Sequence, residues 1–306
     1  MDVVTKTIEQ SGDIGIALWV TGDTNRRHIE SVLTPGGWAH HIPKLDHLLA
    51  LRESGKEMID HLGLKIAGEP IVPNNLDRKS VGVEFVRKIP GMKRNQHISV
   101  FSIAVVERGP GDFVATILDV NAAQAPTLAV GLQAADDLID RLYQNRCSTL
   151  EATQLTTTLR DIILHSFHGT RLKGNGGCYF IPPQFLREYE AIARGIEASP
   201  TSAKFTLFEF KLAPNSTGFR AIMDGISDEI NSGVEAITAE LGSMNSTGVK
   251  MRRDGIESRL SRLTGFCDKV RFYEALLGQT MPSLHTAIEA AEGGIGLHKM
   301  LSLSAE

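Results

Sequence analysis

FRAIMDGISDEINSGVEAITAELGSMNSTGVKMRRDGIESRLSRLTGFCDKVRFYEALL, residues 219–277, decides the fold. Two apolar stripes repeat in it at seven-residue spacing. Met223, Ile230, Ile237 and Met244 form the first, and Val249, Ile256, Leu263, Val270 and Leu277 the second. Seven residues return a side chain to the same helix face after about two turns. The stretch therefore predicts two long helices packed as an antiparallel, coiled-coil-like hairpin over 214–280. Phe219, Ile226, Val234 and Leu241 flank the first stripe, so the stripe drifts, as on a straight helix. Asn245, Ser246 and Thr247, between Gly242 and Gly248, suit a helix–helix connection. Gly225, Gly233 and Gly242 each cost up to ~1 kcal/mol of helix propensity. They imply close approach of a neighbour, or a helix that depends on its partner.

The helices differ in charge. Arg220 stands against Asp224, Asp228, Glu229, Glu235 and Glu240 in the first. The second carries Lys250, Arg252, Arg253, Arg259, Arg262, Lys269 and Arg271 against Asp254, Glu257, Asp268 and Glu274. Pairing between the helices is the plain reading. The sharper one is a polyanion or acidic partner held by Lys250, Arg252 and Arg253 near the tip.

The rest of the chain reads as a mixed α+β domain, residues 1–213, with a short helix and tail over 281–306. Ile14–Val20 reads as a buried strand. Asp23 or Thr24 is placed to cap a helix carrying Ile29, Val32 and Leu33. A second helix is expected over 44–62. Residues 79–89, 97–106 and 112–120, joined by turns at Pro90-Gly91 and Gly109-Pro110-Gly111, predict an antiparallel β-meander. Helices follow over 128–144 and 150–167, then a strand at 178–181, a helix at 185–196 and a strand at 204–212. In the tail, a helical piece over 284–291 is expected.

Composition narrows the function classes. The 306 residues are 42% hydrophobic with net charge −4, which disfavours a globally basic nucleic-acid binder. No window approaches the ~18 apolar residues of a membrane span, and MDVVTKTIEQSGD lacks the pattern of a signal peptide. Three separated cysteines, Cys147, Cys178 and Cys267, fit a reducing cytoplasm rather than a disulfide framework.

Four groups of residues carry side chains or loops suited to chemistry. His40, His41 and His47, with Asp46, have metal-ligating side chains, but the adjacent histidines cannot share one face of a strand. His165 and His168 are spaced to share a face at a helix end, where the dipole favours imidazolium. Gly174-Asn175-Gly176-Gly177, beside Arg171 and Lys173, resembles an anion-cradling loop but precedes a strand, unlike a P-loop. Arg87, Lys88, Lys93 and Arg94, with His97, form the densest basic cluster, at the tip of a predicted β-hairpin suited to phosphate contact. Cys178 lies among apolar neighbours and reads as a packed residue. There is no GxSxG, HExxH, DxD or Walker motif. No catalytic residue, bound metal or cofactor is therefore expected.

The segment Gly176-Gly177-Cys178-Tyr179-Phe180-Ile181-Pro182, followed by a helical C-terminal region, resembles an uncharacterised family of phages, plasmids, archaea and bacteria. Its members carry a similar GG-x-YF-x-P segment. The resemblance brings no activity and no site residues. It implies a mobile-element or antiviral-defence setting. The leading expectation is a non-enzymatic assembly or adaptor subunit of a cytoplasmic complex, nucleic-acid-associated, binding protein partners through the hairpin, with homo-oligomerisation open. The alternatives are direct nucleic-acid binding through the basic hairpin tip, and a metal-dependent hydrolase using His40, His41 and His47.

Overall fold

The computed structural model describes residues 13–64, 71–75, 81–88, 97–172, 177–198, 204–211, 216–247 and 253–303. The chain runs β1 (Asp13–Val20), β2 (Thr24–Asn25), α1 (Arg26–Leu33), α2 (His47–His61), β3 (Ile71–Asn75), β4 (Gly82–Lys88), β5 (His97–Gly109) and β6 (Asp112–Val120). It continues with α3 (Pro126–Val130), α4 (Leu132–Ser148), β7 (Thr149–Leu150), α5 (Ala152–Asp161), a π-helical turn (Ile162–Ser166), β8 (Thr170–Arg171), β9 (Tyr179–Ile181) and α6 (Leu186–Glu197). Last come β10 (Lys204–Lys211), α7 (Thr217–Thr247), α8 (Arg253–Leu277) and α9 (Pro282–Leu303). Helices accompany antiparallel sheets, so the fold is α+β. Among the described residues, no helix is long and apolar enough to cross a membrane.

The elements form two compact units. One comprises Met1–Gly22, Val32–His41 and Thr156–Glu306; the other comprises Asp23–Ser31 and Ile42–Leu155. This partition differs from a division near residue 213. The cause is strand pairing between distant segments. β1 lies between β10 and β9, with Ile16 opposite both Phe208 and Phe180. The first strand thereby joins the unit that holds the long helices.

In that first unit the sheet order is β10-β1-β9-β8. Trp19 stacks on Tyr179 at 4.7 Å between ring centroids. α6 buries Tyr189, Ile192, Ala193 and Ile196, one stripe at helical spacing. Phe180 belongs to the apolar core of α7, α8 and α9, where Ile226, Ile230, Leu263, Val270 and Tyr273 are fully buried. Ile237, Ile256 and Leu277 are buried there as well, and Met223 and Met244 pack at its margin. Val249 lies outside the described residues.

The tail differs most from expectation. It is not a short piece but the 22-residue α9, which contributes Leu284, Ile288 and Ile295 to the same core. A two-helix hairpin exposes much of each apolar stripe; a third helix covers it. The glycines separate into two kinds. A Cβ at Gly233 would sit 2.3 Å from the Phe266 ring, and one at Gly225 would sit 2.5 Å from the Arg171 carbonyl oxygen. These are close approaches, whereas Gly242 faces open space.

In the second unit β3-β4-β5-β6 form the antiparallel meander, with β3 an unforeseen fourth strand. Pro73 sits in this edge strand, where a missing N–H is tolerated. Phe85 and Phe101 stack at 4.6 Å, in a core shared with α2 and α4. Gly55 lets α2 approach closely, since a Cβ there would meet the Phe85 ring at 2.2 Å. β6 is the opposite edge, and α4 covers it: Asp140 accepts from Ala115 N at 3.0 Å, and Asp136 accepts from Ile117 N at 2.7 Å. Two backbone donors that would otherwise offer an open edge are thus paired with carboxylates.

The α1 cap is also corrected. Asn25 Oδ1, not Asp23 or Thr24, accepts from His28 N. Asp23 instead accepts from Ala152 N at 2.9 Å, at the start of α5.

Candidate functional site

The first unit gathers charge and backbone irregularity around the end of α5. Its last turn widens into the π-helix Ile162–Ser166, a local form common at functional positions. His168 follows at φ 53°, a left-handed conformation unusual for a side-chain-bearing residue. Gly169 then passes close beneath Ile163 and Phe180: a Cβ would lie 2.5 Å from the Phe180 carbonyl oxygen. Only glycine fits there without displacement.

The long helices are tied to this turn by a buried ion pair. Lys269 Nζ donates to Glu229 at 2.7 and 2.8 Å and to the Gly169 carbonyl oxygen at 2.6 Å. Thr170 Oγ1 donates to the same carboxylate at 3.1 Å. Lys269 is only 4% exposed. Burial pushes its ammonium below the usual range, and Glu229 opposes that shift. Burial, and then the Glu229 charge, push the Tyr273 phenol well above its usual range. Glu229 precedes stripe residue Ile230, and Lys269 precedes Val270. Opposite charges at equivalent positions beside the two heptad stripes were the sequence signal for this pair.

The same turn brings together histidines from two of the sequence groups. Ala39–His41 forms a short 3₁₀ turn. It places His41 Nε2 2.8 Å from Ser166 Oγ. His40 lies against His41 at 4.1 Å between ring centroids, and His40 Nδ1–H donates to the Gly37 carbonyl oxygen. Burial lowers the His41 pKa most, His40 and His165 lower it further, and Asp161 opposes them. Asp161 is held by Arg160, Nε and Nη2 each at 2.9 Å. Trp38 packs edge-on against Phe167 at 5.2 Å, and Phe167 stacks on Phe185 at 5.0 Å. Ser166 and Asp161 carry no local motif and were not foreseen; only the fold sets them beside His41.

The other sequence groups land differently. His165 and His168 do not share a helical face, because the helix ends at Ser166 and His168 turns onto Phe272, 5.2 Å away. Burial, and then Lys269, lower the His168 pKa against the opposing effect of Asp268. His47, in the second unit, bonds to Tyr143 OH and packs against Phe113. Among the described residues, no group of His, Cys, Asp or Glu side chains is arranged to hold a metal ion.

Arg87 is half-buried and donates from Nη1 to Gln124 Oε1 at 3.0 Å. Lys93, Arg94, Lys250, Arg252 and the Gly174–Gly176 part of the glycine loop lie outside the described residues, as do the side chains of Lys88 and Arg253. Arg171 lies 5.5 Å over the Tyr179 ring. Burial raises the Cys178 thiol pKa, as befits a packed residue.

The second unit has a cleft of about 290 Å³ lined by Arg26, Lys44, Asp46, Glu53, Glu57, Arg146 and Glu151, among others. Several of these charges already serve the fold. Asp46 caps α2 through Leu49 N, Glu57 pairs with Arg146 at 2.8 Å, and Arg26 donates to the Pro43 carbonyl oxygen.

The chain belongs to a family of unknown function, DUF6744, whose model matches residues 86–302. No curated protein and no solved structure matches it.

Proposed function

We propose that this protein is an assembly or adaptor subunit of a cytoplasmic complex, binding a protein partner through the outer faces of α7, α8 and α9. The observation that supports this reading best is the build of those helices. α7 has 31 residues and α8 has 25, about 46 and 38 Å of helix. One apolar core runs along them, so they form a stiff element whose outer faces stay polar. Asp224, Asp228 and Glu235 are exposed along α7. They offer an acidic face to a basic partner surface, where charge complementarity governs encounter and specificity. A mobile-element or antiviral setting is part of this proposal through the GG-x-YF-x-P resemblance, and association with nucleic acid is part of it as an expectation of its own.

Purification of the native complex through a tag on the full chain tests it. Stoichiometric protein partners are expected with the wild type, and are expected to be lost from an Asp228→Lys/Glu235→Lys variant of unchanged helicity. A wild type that elutes alone, or a variant that keeps every partner, would end the proposal.

A second reading, phosphate contact by Arg87, Lys88, Lys93 and Arg94, is carried by that basic cluster. It requires sequence-tolerant DNA or RNA binding that falls steeply with salt.

A further inference from the structure

We infer that Ser166 is a nucleophile activated by His41, forming an acyl-enzyme with activated carboxylic esters that bear an apolar acyl group. This goes beyond the assembly reading and does not depend on it. The geometry is that of a nucleophile–base pair. Ser166 Oγ lies 2.8 Å from His41 Nε2 although 125 residues separate them in the chain. The two side chains come from turns, the 3₁₀ turn Ala39–His41 and the π-turn Ile162–Ser166. A π-turn shifts the side chains after it relative to a regular helix. His168, in the left-handed region two residues on, marks where this irregular path ends.

The surroundings suit the role. His41 is held below its usual pKa, so at neutral pH its imidazole is unprotonated and Nε2 is free to accept the serine proton. The titratable groups acting on it are His40, Asp161 and His165. Asp161 supplies the negative charge that favours the imidazolium formed during attack. Trp38 and Phe185 are half-buried and, with Phe167, form an aromatic cluster beside the pair. That apolar wall is what selects an apolar acyl group.

The chemistry balances. Ser166 Oγ attacks the carbonyl carbon, and its proton passes to His41 Nε2 and from there to the leaving oxygen as the ester carbon–oxygen bond breaks, which releases the alcohol or phenol and returns His41 to its neutral form. Water then attacks the acyl carbon, giving a proton to His41. The acyl–Oγ bond breaks, and Ser166 recovers its proton as the carboxylic acid leaves.

A fluorophosphonate probe reads the first step directly. The Oγ–phosphorus bond forms and fluoride leaves, so a stable adduct accumulates. On the folded full-length protein, intact and peptide mass spectrometry should place one adduct on Ser166. Ser166→Ala should abolish it, and His41→Gln should slow labelling by roughly 10²- to 10⁴-fold. With the wild type, labelling should rise with pH through an inflection below 6.5 and be level at neutral pH, because the unprotonated imidazole is the active form. A short-chain p-nitrophenyl ester should give a burst of phenolate followed by slow turnover. Circular dichroism of both variants separates loss of the pair from loss of the fold. Should His41→Gln misfold, the wild-type pH profile decides. Absence of an adduct on the folded wild type, an adduct on another residue, equal labelling of a folded His41→Gln, or a profile without the inflection would each overturn the inference.

Discussion

Among the described residues, two ion pairs join α7 to α8, and they belong to different physical regimes. Arg259 reaches Glu240 with Nε at 2.8 Å and Nη2 at 2.6 Å, a two-pronged contact whose carboxylate side chain is 54% exposed. Lys269 meets Glu229 at similar distances, but its own side chain is 5% exposed. The first pair keeps its carboxylate in water, which screens it, and its Arg259 side chain is 21% exposed. The second has replaced water with a carboxylate, a backbone carbonyl and a neighbouring threonine hydroxyl. Deleting one half of it leaves a desolvated charge. The contact distances of the two pairs are similar, so burial ranks them.

The strongest way to break the comparison is to remove the core that both pairs flank. Leu263 is fully buried in the three-helix core. Leu263→Asp combines a lost apolar side chain with an unpaired buried carboxylate, a cost of about 5 kcal/mol or more. Circular dichroism should show loss of most of the α7–α9 helical signal. A variant with wild-type helicity and melting temperature would contradict the packing described.

Next comes the pair-by-pair test. Glu229→Ala should cost about 3–5 kcal/mol, because Lys269 then stays buried without its carboxylate. Glu240→Ala should cost no more than about 1 kcal/mol, and less in high salt. Replacing both Glu229 and Lys269 by Met should recover much of the loss, since an apolar pair of similar volume avoids desolvation. Urea unfolding of the single and double variants measures all three. Similar costs at Glu229 and Glu240 would erase the distinction drawn here.

The smallest effect is expected at the turn between α8 and α9, where a third arrangement holds. Glu274 accepts from Met281 N at 2.6 Å and lies 3.1 Å from His285 Nε2. Partial burial raises the Glu274 pKa, but the Met281 and His285 contacts and the nearby Arg271 outweigh it, so the carboxyl sits below its ordinary 4.5. A depressed carboxyl contributes stability that is present above the unfolded value and is lost as pH falls through the folded one. Thermal melts from pH 6 down to pH 3 should therefore show a modest acid loss, beginning near 4.5, that shrinks in Glu274→Gln. Identical acid slopes for wild type and variant would remove Glu274 from the account.

Much of the architecture was open to reading in advance, because it rests on local periodicity. Heptads marked α7 and α8, alternation marked β4 and β10, β-forming runs between turns marked β5 and β6, and the Pro182-Pro183 break marked the start of α6. The failures share a cause. Asp23 has the chemistry of a helix cap and is one, but for α5, 129 residues away in the chain. Gly293, Gly294 and Gly296 lower the helix propensity of α9 and hide its length from local pattern, and packing against α7 and α8 overrides that cost. The candidate site was legible only in halves. His40, His41 and His165 stood out as titratable residues, while Ser166 and Asp161 looked like ordinary helix residues.

By itself, then, the sequence determined most of the helices and strands and the apolar faces they bury, since each depends on residues within a few turns of one another. Tertiary structure alone decided which faces met: β1 between β10 and β9, Lys269 against Gly169, His41 against Ser166. Those contacts close long loops, and their free energy comes from burial and pairing that exist only once distant segments share a core. No local pattern encodes them, and the candidate chemistry of this protein lies among them.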